Sequence, residues 1–444
     1  MTTQAEAQQP SAGDGGPYSI RLDLPEFYDN GSFDAAMAWL RRNDPVHWQE
    51  TAGFWVVSTH ADIREVAADG DLFTTAYGID VGVHLSARFL AESPEPGPLD
   101  TSEGAMPPVA QLRRHLSLLR SSNQELELMQ LMSTDYHPKV RAIFNRGFTP
   151  KTLASLETWV RELTVHALDG IEPGQVADFV ESLAVPVPVY VIAELLGVSA
   201  TDRADFKRWS DNIIKMVEPS DDPVILADQL DQLDQLYRYF RAQIEDRRVH
   251  PRDDLLTKMV EARVDGEALS DAMIETLAMV ILAAGNETTR TAISGGALAL
   301  AQFPDQRRRL IEAPELLGGA VDEILRWVSP VKAFCRTASR DTVLHGKEIK
   351  RGDFMVLSFP SANRDEEAWD HPEHFDVTRA AKPMHTAFSH GAHVCLGQSL
   401  ARMELRVVFE ELLARYPDYE IAGDVRKLGS TLVTSIEEMP VRFV

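Results

Sequence analysis

Cysteine is scarce in this chain: its 444 residues include only Cys335 and Cys395. Two cysteines exclude a disulfide framework, and such scarcity is typical of a reducing compartment, so we expect a cytoplasmic protein. A closed zinc site is disfavoured as well, because it needs four ligands and only His390 and His393 stand close to Cys395 in the sequence.

Long apolar runs and positive charge are also lacking. No run of about 18 apolar residues occurs, so no segment is expected to span a membrane. The formal charge of −24, from 44 Lys and Arg against 68 Asp and Glu, disfavours nucleic acid and anionic membranes as general partners. Residues 1–17 have neither the basic nor the apolar region of a signal peptide, and they predict a flexible tail. Because no linker-like shift in composition follows, residues 18–444 are expected to form one domain.

Helical patterns dominate the sequence, with no alternation of strands and helices that would predict a parallel sheet. The clearest element is a long apolar helix over Asp271–Leu300, for which Ser270 fits the N-cap position. Strands are predicted over Val46–Gln49, Phe54–Ser58 and the C-terminal Leu432–Val444. The pattern therefore predicts a mainly α protein with minor β-sheets.

A glycine-containing loop around Cys395 is the most informative segment. Residues 388–397 have the sequence FSHGAHVCLG and stand before an amphipathic helix predicted from about Ser399. The N–H groups at a helix N-terminus favour a thiolate, and Gly391 and Gly397 would let a flat group approach the backbone. A thiolate placed in this way can ligate haem iron. The alternative for a lone cysteine is a buried, unreactive side chain.

Polar residues interrupt the long apolar helix at 284–289, where the sequence is AGNETT. Gly, Asn and Thr are poor helix formers, and Thr hydroxyls can bond to carbonyls of the preceding turn. A charge such as Glu287 inside an apolar helix indicates a function. The alternative is a surface acid beside a Thr pair that packs in the core.

These segments carry a resemblance. Residues 388–397 fit the pattern F-x-x-G-x-x-x-C-x-G, and the chain resembles the bacterial type of the cytochrome P450 superfamily in motifs that run from His137 to Gly397. The resemblance implies a fold in which haem b, iron protoporphyrin IX, lies between a long central helix and a proximal cysteine loop. Cys395 would be the metal ligand, with Phe388, Gly391 and Gly397 shaping its loop.

The resemblance also implies roles for the other motifs. Ala284 and Gly285 would line a dioxygen groove, Glu287 would relay protons, and Thr288 would hydrogen-bond the dioxygen. The haem propionates would be held by four basic residues, namely His137, Arg141, Arg336 and His393. A structural ion-pair group would consist of Glu323, Arg326 and Arg379. The substrate pocket would include Ala284, Val331, Phe334, Leu432, Val433 and parts of 81–120, although several of these could equally be plain core residues.

The activity implied is that of a haem-thiolate monooxygenase, which inserts one oxygen atom of O2 into a small apolar substrate. Residues 330–338, 349–353 and 361–367 resemble the branch that hydroxylates monoterpenes such as terpineol, so a monoterpenoid or alkylaromatic substrate is expected. A steroid or another hydrophobic molecule remains open. A non-catalytic haem-binding ligand sensor is the alternative of another class.

Electrons are expected from a [2Fe-2S] ferredoxin with its ferredoxin reductase. Such ferredoxins are usually acidic, so docking on a chain of −24 charge needs a local basic face. The resemblance places Lys139, Arg146, Arg402 and Arg406 near that face. Two departures from the family pattern are the long segment 73–132 and Glu287, where Asp is frequent. His371 and His374 have the spacing of a metal pair, but we predict an ordinary loop.

Overall fold

The computed structural model describes residues 17–81, 129–132, 134–145, 147–215, 222–380 and 382–444. It confirms the mainly helical prediction with small sheets. The helices are α1 (Pro25–Asp29), α2 (Phe33–Asn43), α3 (His60–Ala68), α4 (His137–Asn145), α5 (Pro150–Asp169), α6 (Pro186–Leu196), α7 (Arg203–Lys215), α8 (Pro223–Val249), α9 (Leu255–Glu261), α10 (Asp271–Gln302), α11 (Pro304–Glu312), α12 (Leu317–Val328), α13 (Phe359–Ala362) and α14 (Gln398–Arg415).

The strands form several small sheets. In chain order they are β1 (Val46–Gln49), β2 (Phe54–Val57), β3 (Phe73–Thr74), β4 (Val176–Asp178), β5 (Arg263–Val264), β6 (Glu267–Ala268), β7 (Ala333–Ala338), β8 (Thr342–Leu344), β9 (Lys347–Ile349), β10 (Phe354–Ser358), β11 (Tyr419–Ile421), β12 (Arg426–Leu428), β13 (Ser435–Glu438) and β14 (Pro440–Phe443). The largest sheet has the order β1-β2-β10-β7-β3, in which β10 runs parallel to β2 and antiparallel to β7.

The long apolar helix is the central element. Ser270 caps it as predicted, since its hydroxyl oxygen accepts the Met273 N–H at 3.1 Å. The helix continues to Gln302 and packs against α6, α12 and α14. Its apolar residues are buried on more than one face, which is what an interior helix requires.

The C-terminal strand prediction is wrong in extent. Leu432–Val444 contains two strands: β13 pairs with β12, whereas β14 pairs with β11 and β4. The break falls at Pro440, which has no N–H to donate and therefore begins a strand more readily than it continues one. Before β13, Val433 forms a single bridge to Val331.

Several predictions concern residues outside those that the structure describes. They concern residues 1–16 of the predicted tail 1–17, and Arg146 of the predicted docking face. They also concern residues 82–128 of the long segment 73–132, which include most of the predicted pocket wall 81–120. Among the described helices, none combines the length and the hydropathy that crossing a bilayer demands.

Candidate active site

The loop that carries Cys395 is held by its own backbone. The Cys395 N–H donates to the Phe388 carbonyl at 2.9 Å, and α14 begins three residues later, at Gln398. Burial raises the pKa of the Cys395 thiol, and the Gly397 N–H and the charges of Arg141 and Arg402 oppose that rise. A buried thiol resists ionisation, so the thiolate depends on a cationic partner such as a metal ion.

The two glycines of this loop are required for different physical reasons. Gly391 has φ +73°, and a Cβ there would lie 2.2 Å from the Ala67 carbonyl oxygen at the end of α3. That position therefore needs glycine for the turn and for packing against α3, rather than for a flat group as the sequence indicated. Around Gly397, in contrast, no heavy atom of the other described residues, its chain neighbours aside, lies within 4 Å of the Cβ position. Gly397 borders a cavity and leaves room for a planar group.

That cavity lies between α10 and the cysteine loop. It brings together most of the predicted site residues, namely His137, Arg141, Ala284, Gly285, Thr288, Val331, Phe334, Arg336, Phe388, His393, Cys395 and Gly397. Gly285 borders it, yet a Cβ on Gly285 would lie 2.5 Å from Cδ1 of Ile192. The glycine is thus needed for the close packing of α10 on α6, which the sequence did not indicate.

Two predicted pocket residues, Leu432 and Val433, are not among the described residues that line the cavity. Leu432 accepts the Lys332 N–H at 2.8 Å through its carbonyl oxygen, and Val433 pairs with Val331. Val331 borders the cavity, so Leu432 and Val433 hold the backbone next to the wall. The core alternative that the sequence left open describes their positions better.

Glu287 is a buried residue of α10, and its carboxyl group lies near other charges. Its Oε1 accepts a hydrogen bond from the Ser435 hydroxyl, and its Oε2 lies 3.2 Å from Arg290 Nη2. Arg290 Nη1 in turn lies 3.8 Å from Asp211. Burial raises the pKa of Glu287, although Arg290 and Ser435 act in the opposite direction. The carboxyl group therefore connects with Arg290 and Asp211 and does not border the cavity directly.

Thr288, the residue after Glu287 on α10, borders the cavity. Its hydroxyl donates to the Ala284 carbonyl oxygen at 2.8 Å, one turn earlier. The neighbouring Asn286 donates from Nδ2 to the buried Ser210 hydroxyl. Thr288 is thus satisfied within the helix, whereas Asn286 is bound by a side chain 76 residues away. The Thr288 oxygen can still accept a hydrogen bond.

Four basic side chains meet at one edge of the cavity. The rings of His137 and His393 lie 4.2 Å apart between centroids, and Arg141 Nη2 donates to the Val394 carbonyl at 2.7 Å. Arg336 is 2% exposed and donates from Nη1 to the Cys335 carbonyl, whereas its buried Nη2 has no hydrogen-bond partner among the described residues. An unpaired buried guanidinium nitrogen calls for an acceptor, and a carboxylate suits it best.

The pKa values of these basic side chains are lowered, as expected where buried groups of the same charge lie close together. Burial, together with the charges of His137, Arg336 and Arg141, lowers the pKa of His393 to about 3. Burial also lowers the pKa of Arg336 to about 10 and depresses the pKa of His137. Two anionic groups at this edge would relieve the repulsion, so the cluster fits the two propionates of a haem.

Comparison with known proteins identifies the family. Residues 224–422 match the family model described as Cytochrome P450. A Steroid C26-monooxygenase of Mycolicibacterium smegmatis is 34% identical over 420 residues, which cover 92% of this chain and 90% of the relative. The chain belongs to the cytochrome P450 superfamily. It is a P450 monooxygenase, and its cofactor is haem b.

Other P450s extend the comparison. Cytochrome P450-terp of Pseudomonas sp is 29% identical over 434 residues, which cover 95% of this chain and 96% of the relative. The crystal structure of CYP109E1 from Bacillus megaterium in complex with testosterone matches with a TM-score of 0.75 at 30% identity. That match covers 92% of this chain and 99% of the other. The bacterial P450 fold predicted from the sequence is confirmed.

The predicted ion-pair group of this P450 is buried and bidentate. Arg326 donates from Nε and Nη2 to the two carboxylate oxygens of Glu323, at 2.7 and 2.8 Å, and Arg379 Nε joins Glu323 at 2.9 Å. The side chains of Glu323 and Arg326 are each 1% exposed. Arg326 also donates to the carbonyls of Asn363, Pro372 and His374, so it ties α12 to the loop before the cysteine segment.

Sequence analysis missed Glu404, a second buried acid of the site. It lies on α14 and borders the cavity, it is 1% exposed, and its Oε2 has no hydrogen-bond partner among the described residues. Burial raises the pKa of Glu404 to about 8. The only signal in the sequence is its place between Met403 and Leu405, which are apolar. That signal is too weak to tell a buried acid from a surface one.

Proposed function

We propose that this P450 inserts one oxygen atom of O2 into an unactivated C–H bond of an apolar, isoprenoid-type molecule, with a steroid as the first candidate. The observation that carries the proposal is the apolar part of the cavity lining. Its members include Ile192, Val280, Ile281, Ala284, Val331 and Phe334. Walls of this kind, with few polar groups, suit a hydrocarbon skeleton.

The choice between substrate classes is supported by the relatives. The M. smegmatis relative named Steroid C26-monooxygenase is 34% identical to this chain, against 29% for P450-terp. We therefore place a steroid before the monoterpenoid or alkylaromatic that the sequence motifs favoured. A monoterpenoid is the second candidate, because the similarity to P450-terp covers 95% of the chain.

The chain's own residues are assigned roles in this proposal. Haem b supplies the redox chemistry that activates dioxygen. Cys395 binds its iron through sulfur, and the basic cluster of His137, Arg141, Arg336 and His393 binds its propionates. Thr288 holds a hydroxyl proton at the cavity wall, bonded to the Ala284 carbonyl at 2.8 Å. Glu287 moves protons between the Arg290–Asp211 side and the cavity, which requires its carboxyl group to rotate away from Ser435.

We further propose that the electrons come from an acidic [2Fe-2S] ferredoxin with its ferredoxin reductase. The support is the resemblance to bacterial P450s and the position of Arg402 and Arg406 on α14, the helix that follows the cysteine loop. An iron–sulfur protein that docks over this helix would lie close to Cys395.

The substrate class is tested by ligand titration of the ferric, haem-loaded protein. Displacement of the water on the iron shifts the haem from low to high spin, and absorbance follows it. We expect a cholestane-type steroid to give the tightest shift, ahead of terpineol and an alkylbenzene of matched chain length. Terpineol as the tightest ligand would move the assignment to the second candidate. The absence of a shift with all three would overturn the apolar substrate class.

A variant pair shows whether the ligand occupies the proposed lining. Val331→Asn places a polar group of similar size in the apolar wall, and we expect it to weaken the best ligand by about tenfold. Val343→Asn is the matched control, because Val343 is 64% exposed on the distant strand β8. Equal effects of the two substitutions would contradict the assigned pocket.

A further inference from the structure

Three metal-ligating side chains lie together on the surface, in the loop between α13 and the cysteine segment. Oε1 of Glu373 lies 3.7 Å from His371 Nδ1 and 3.5 Å from His374 Nε2. The two imidazole rings are stacked, with centroids 5.5 Å apart and an interplanar angle of 13°. All three side chains are more than 60% exposed, so an ion from solvent can reach them.

The distances are close to those of ligands that share one ion. Zn–N and Zn–O bonds of about 2.1 Å in a tetrahedral arrangement put two ligand atoms about 3.4 Å apart. One donor atom from each of the three residues lies within 4.8 Å of the others. Because the side chains are exposed, small rotations bring them to bonding distance without disturbing packed neighbours.

The backbone of this loop is already fixed from below. Arg326 donates from Nη1 to the Pro372 carbonyl at 2.9 Å and from Nη2 to the His374 carbonyl at 3.0 Å. Arg379 Nη2 donates to the carbonyls of His371 and His374 at 3.1 and 2.8 Å. Both arginines are anchored on the buried Glu323. A metal ion would therefore bind without the entropy cost of ordering the loop.

We propose that His371, Glu373 and His374 form a surface site for one Zn²⁺ ion, with a coordination position left open to water. Imidazole and carboxylate together suit Zn²⁺ and similar ions such as Ni²⁺ and Cu²⁺, whereas Mg²⁺ and Ca²⁺ prefer oxygen ligands alone. Three protein ligands leave the fourth position accessible, unlike the closed four-ligand sites that are purely structural.

The proposed zinc site is separate from the haem cavity, and a bound ion would affect the protein by stabilising the loop that carries the three ligands. The carbonyls of this loop bind Arg326 and Arg379, so an ion that bridges its side chains stabilises the folded form of the same segment. Anything that binds only the folded state raises its stability. Zinc should accordingly raise the melting temperature and leave the haem spectrum unchanged.

The test uses the full-length, haem-loaded protein, purified without a histidine tag and treated with EDTA. Titration calorimetry with ZnCl2 should show one ion bound per chain. Because loss of a supporting residue alone costs metal sites about 10-fold to 100-fold in affinity, we expect His371→Ala and His374→Ala each to lose at least about tenfold. His250→Ala is the matched control, since His250 is exposed beside Asp246, with Nδ1 3.1 Å from Oδ1.

Three results would overturn the site. They are unchanged zinc affinity in the double variant His371→Ala/His374→Ala, an equal loss in His250→Ala, and competition by MgCl2 at the same concentration as ZnCl2. The reduced carbon monoxide spectrum confirms that each variant retains its haem and fold. Glu373→Gln leaves both histidines in place. It should lower the zinc affinity, and zinc should then raise the melting temperature by less than in the wild type.

Discussion

The Thr288 hydroxyl lies where α10 meets the cavity, and among the described residues its only hydrogen bond is the one to Ala284 at 2.8 Å. We expect the Thr288→Ala variant still to consume NADH, but to form several-fold less product per NADH consumed than the wild type. The reason is that the cavity wall loses its proton donor. Product and NADH consumption measured together give this ratio. Thr288→Ser keeps the hydroxyl and should restore it. A wild-type ratio in Thr288→Ala would remove Thr288 from the proposed relay.

Glu404 makes the stability of the protein depend on pH. Burial raises its pKa from the ordinary 4.5 to about 8. Between these values the folded chain holds a proton that the unfolded chain has released, so stability is highest at the acidic end and falls as pH rises towards 8. Glu404→Gln cannot ionise. We expect its melting temperature, relative to wild type, to increase from about pH 5 to about pH 8.

The control for Glu404 is another acid of the same helix. Glu410 is partly exposed and paired with Arg406 at 2.8 Å, and its pKa is lowered by Arg161 and Arg406 despite partial burial. Glu410→Gln should therefore gain no stability over wild type as pH rises. A parallel gain in the two variants would show that the pH dependence does not come from the buried carboxyl group.

At the scale of elements, the Glu323–Arg326 pair holds α12 to the loop that precedes the cysteine segment. Removal of one member of a buried pair costs about 3–5 kcal/mol when the other charge is left uncompensated, and here Arg379 still contacts Glu323 at 2.9 Å. Arg326→Met should nevertheless cost about 3 kcal/mol or more, since three carbonyls also lose their donor. Denaturant unfolding, followed by tryptophan fluorescence and haem absorbance, measures the loss.

The matched control is Arg308→Met on α11. Arg308 and Asp305 form an exposed pair with the same i, i+3 spacing, at 3.0 Å, and such pairs are worth about 0–1 kcal/mol. The sequence cannot separate the two pairs, because the spacing is identical and only burial differs. Equal losses in Arg308→Met and Arg326→Met would contradict the structural role of Arg326.

Local patterns explain which elements the sequence could predict. Helix α10, its cap at Ser270 and the loop around Cys395 depend on contiguous residues, and the structure has them where the pattern indicated. Partners from distant segments could not be predicted. Glu287 binds Ser435, which is 148 residues away, and no local rule connects them. Gly285 borders the cavity as the resemblance implied, but its close packing against Ile192, 93 residues earlier, has no local signal either.

Over the whole molecule, the acidic balance shapes how a redox partner can dock. Each of the three described cations of the predicted docking face already has a carboxylate partner. Lys139 pairs with Asp265, Arg402 with Asp322 at 2.8 Å, and Arg406 with Glu157 and Glu410, both at 2.8 Å. Exposed pairs of this kind contribute little to stability, so they can exchange partners at low cost.

We expect the docking of an acidic ferredoxin to depend on such an exchange at Arg406. The side chain is 31% exposed, and a carboxylate from the partner can replace Glu157 or Glu410. Arg406→Glu should slow the first electron transfer at low salt and flatten its decline as salt increases, because charge attraction mainly sets association rates. Stopped-flow reduction under carbon monoxide measures this rate.

The control is Arg238→Glu, which introduces the same charge change away from α14, because Arg238 lies on α8 and is 72% exposed. If it slows reduction as much as Arg406→Glu, the net charge of the whole chain controls docking and the local basic face does not.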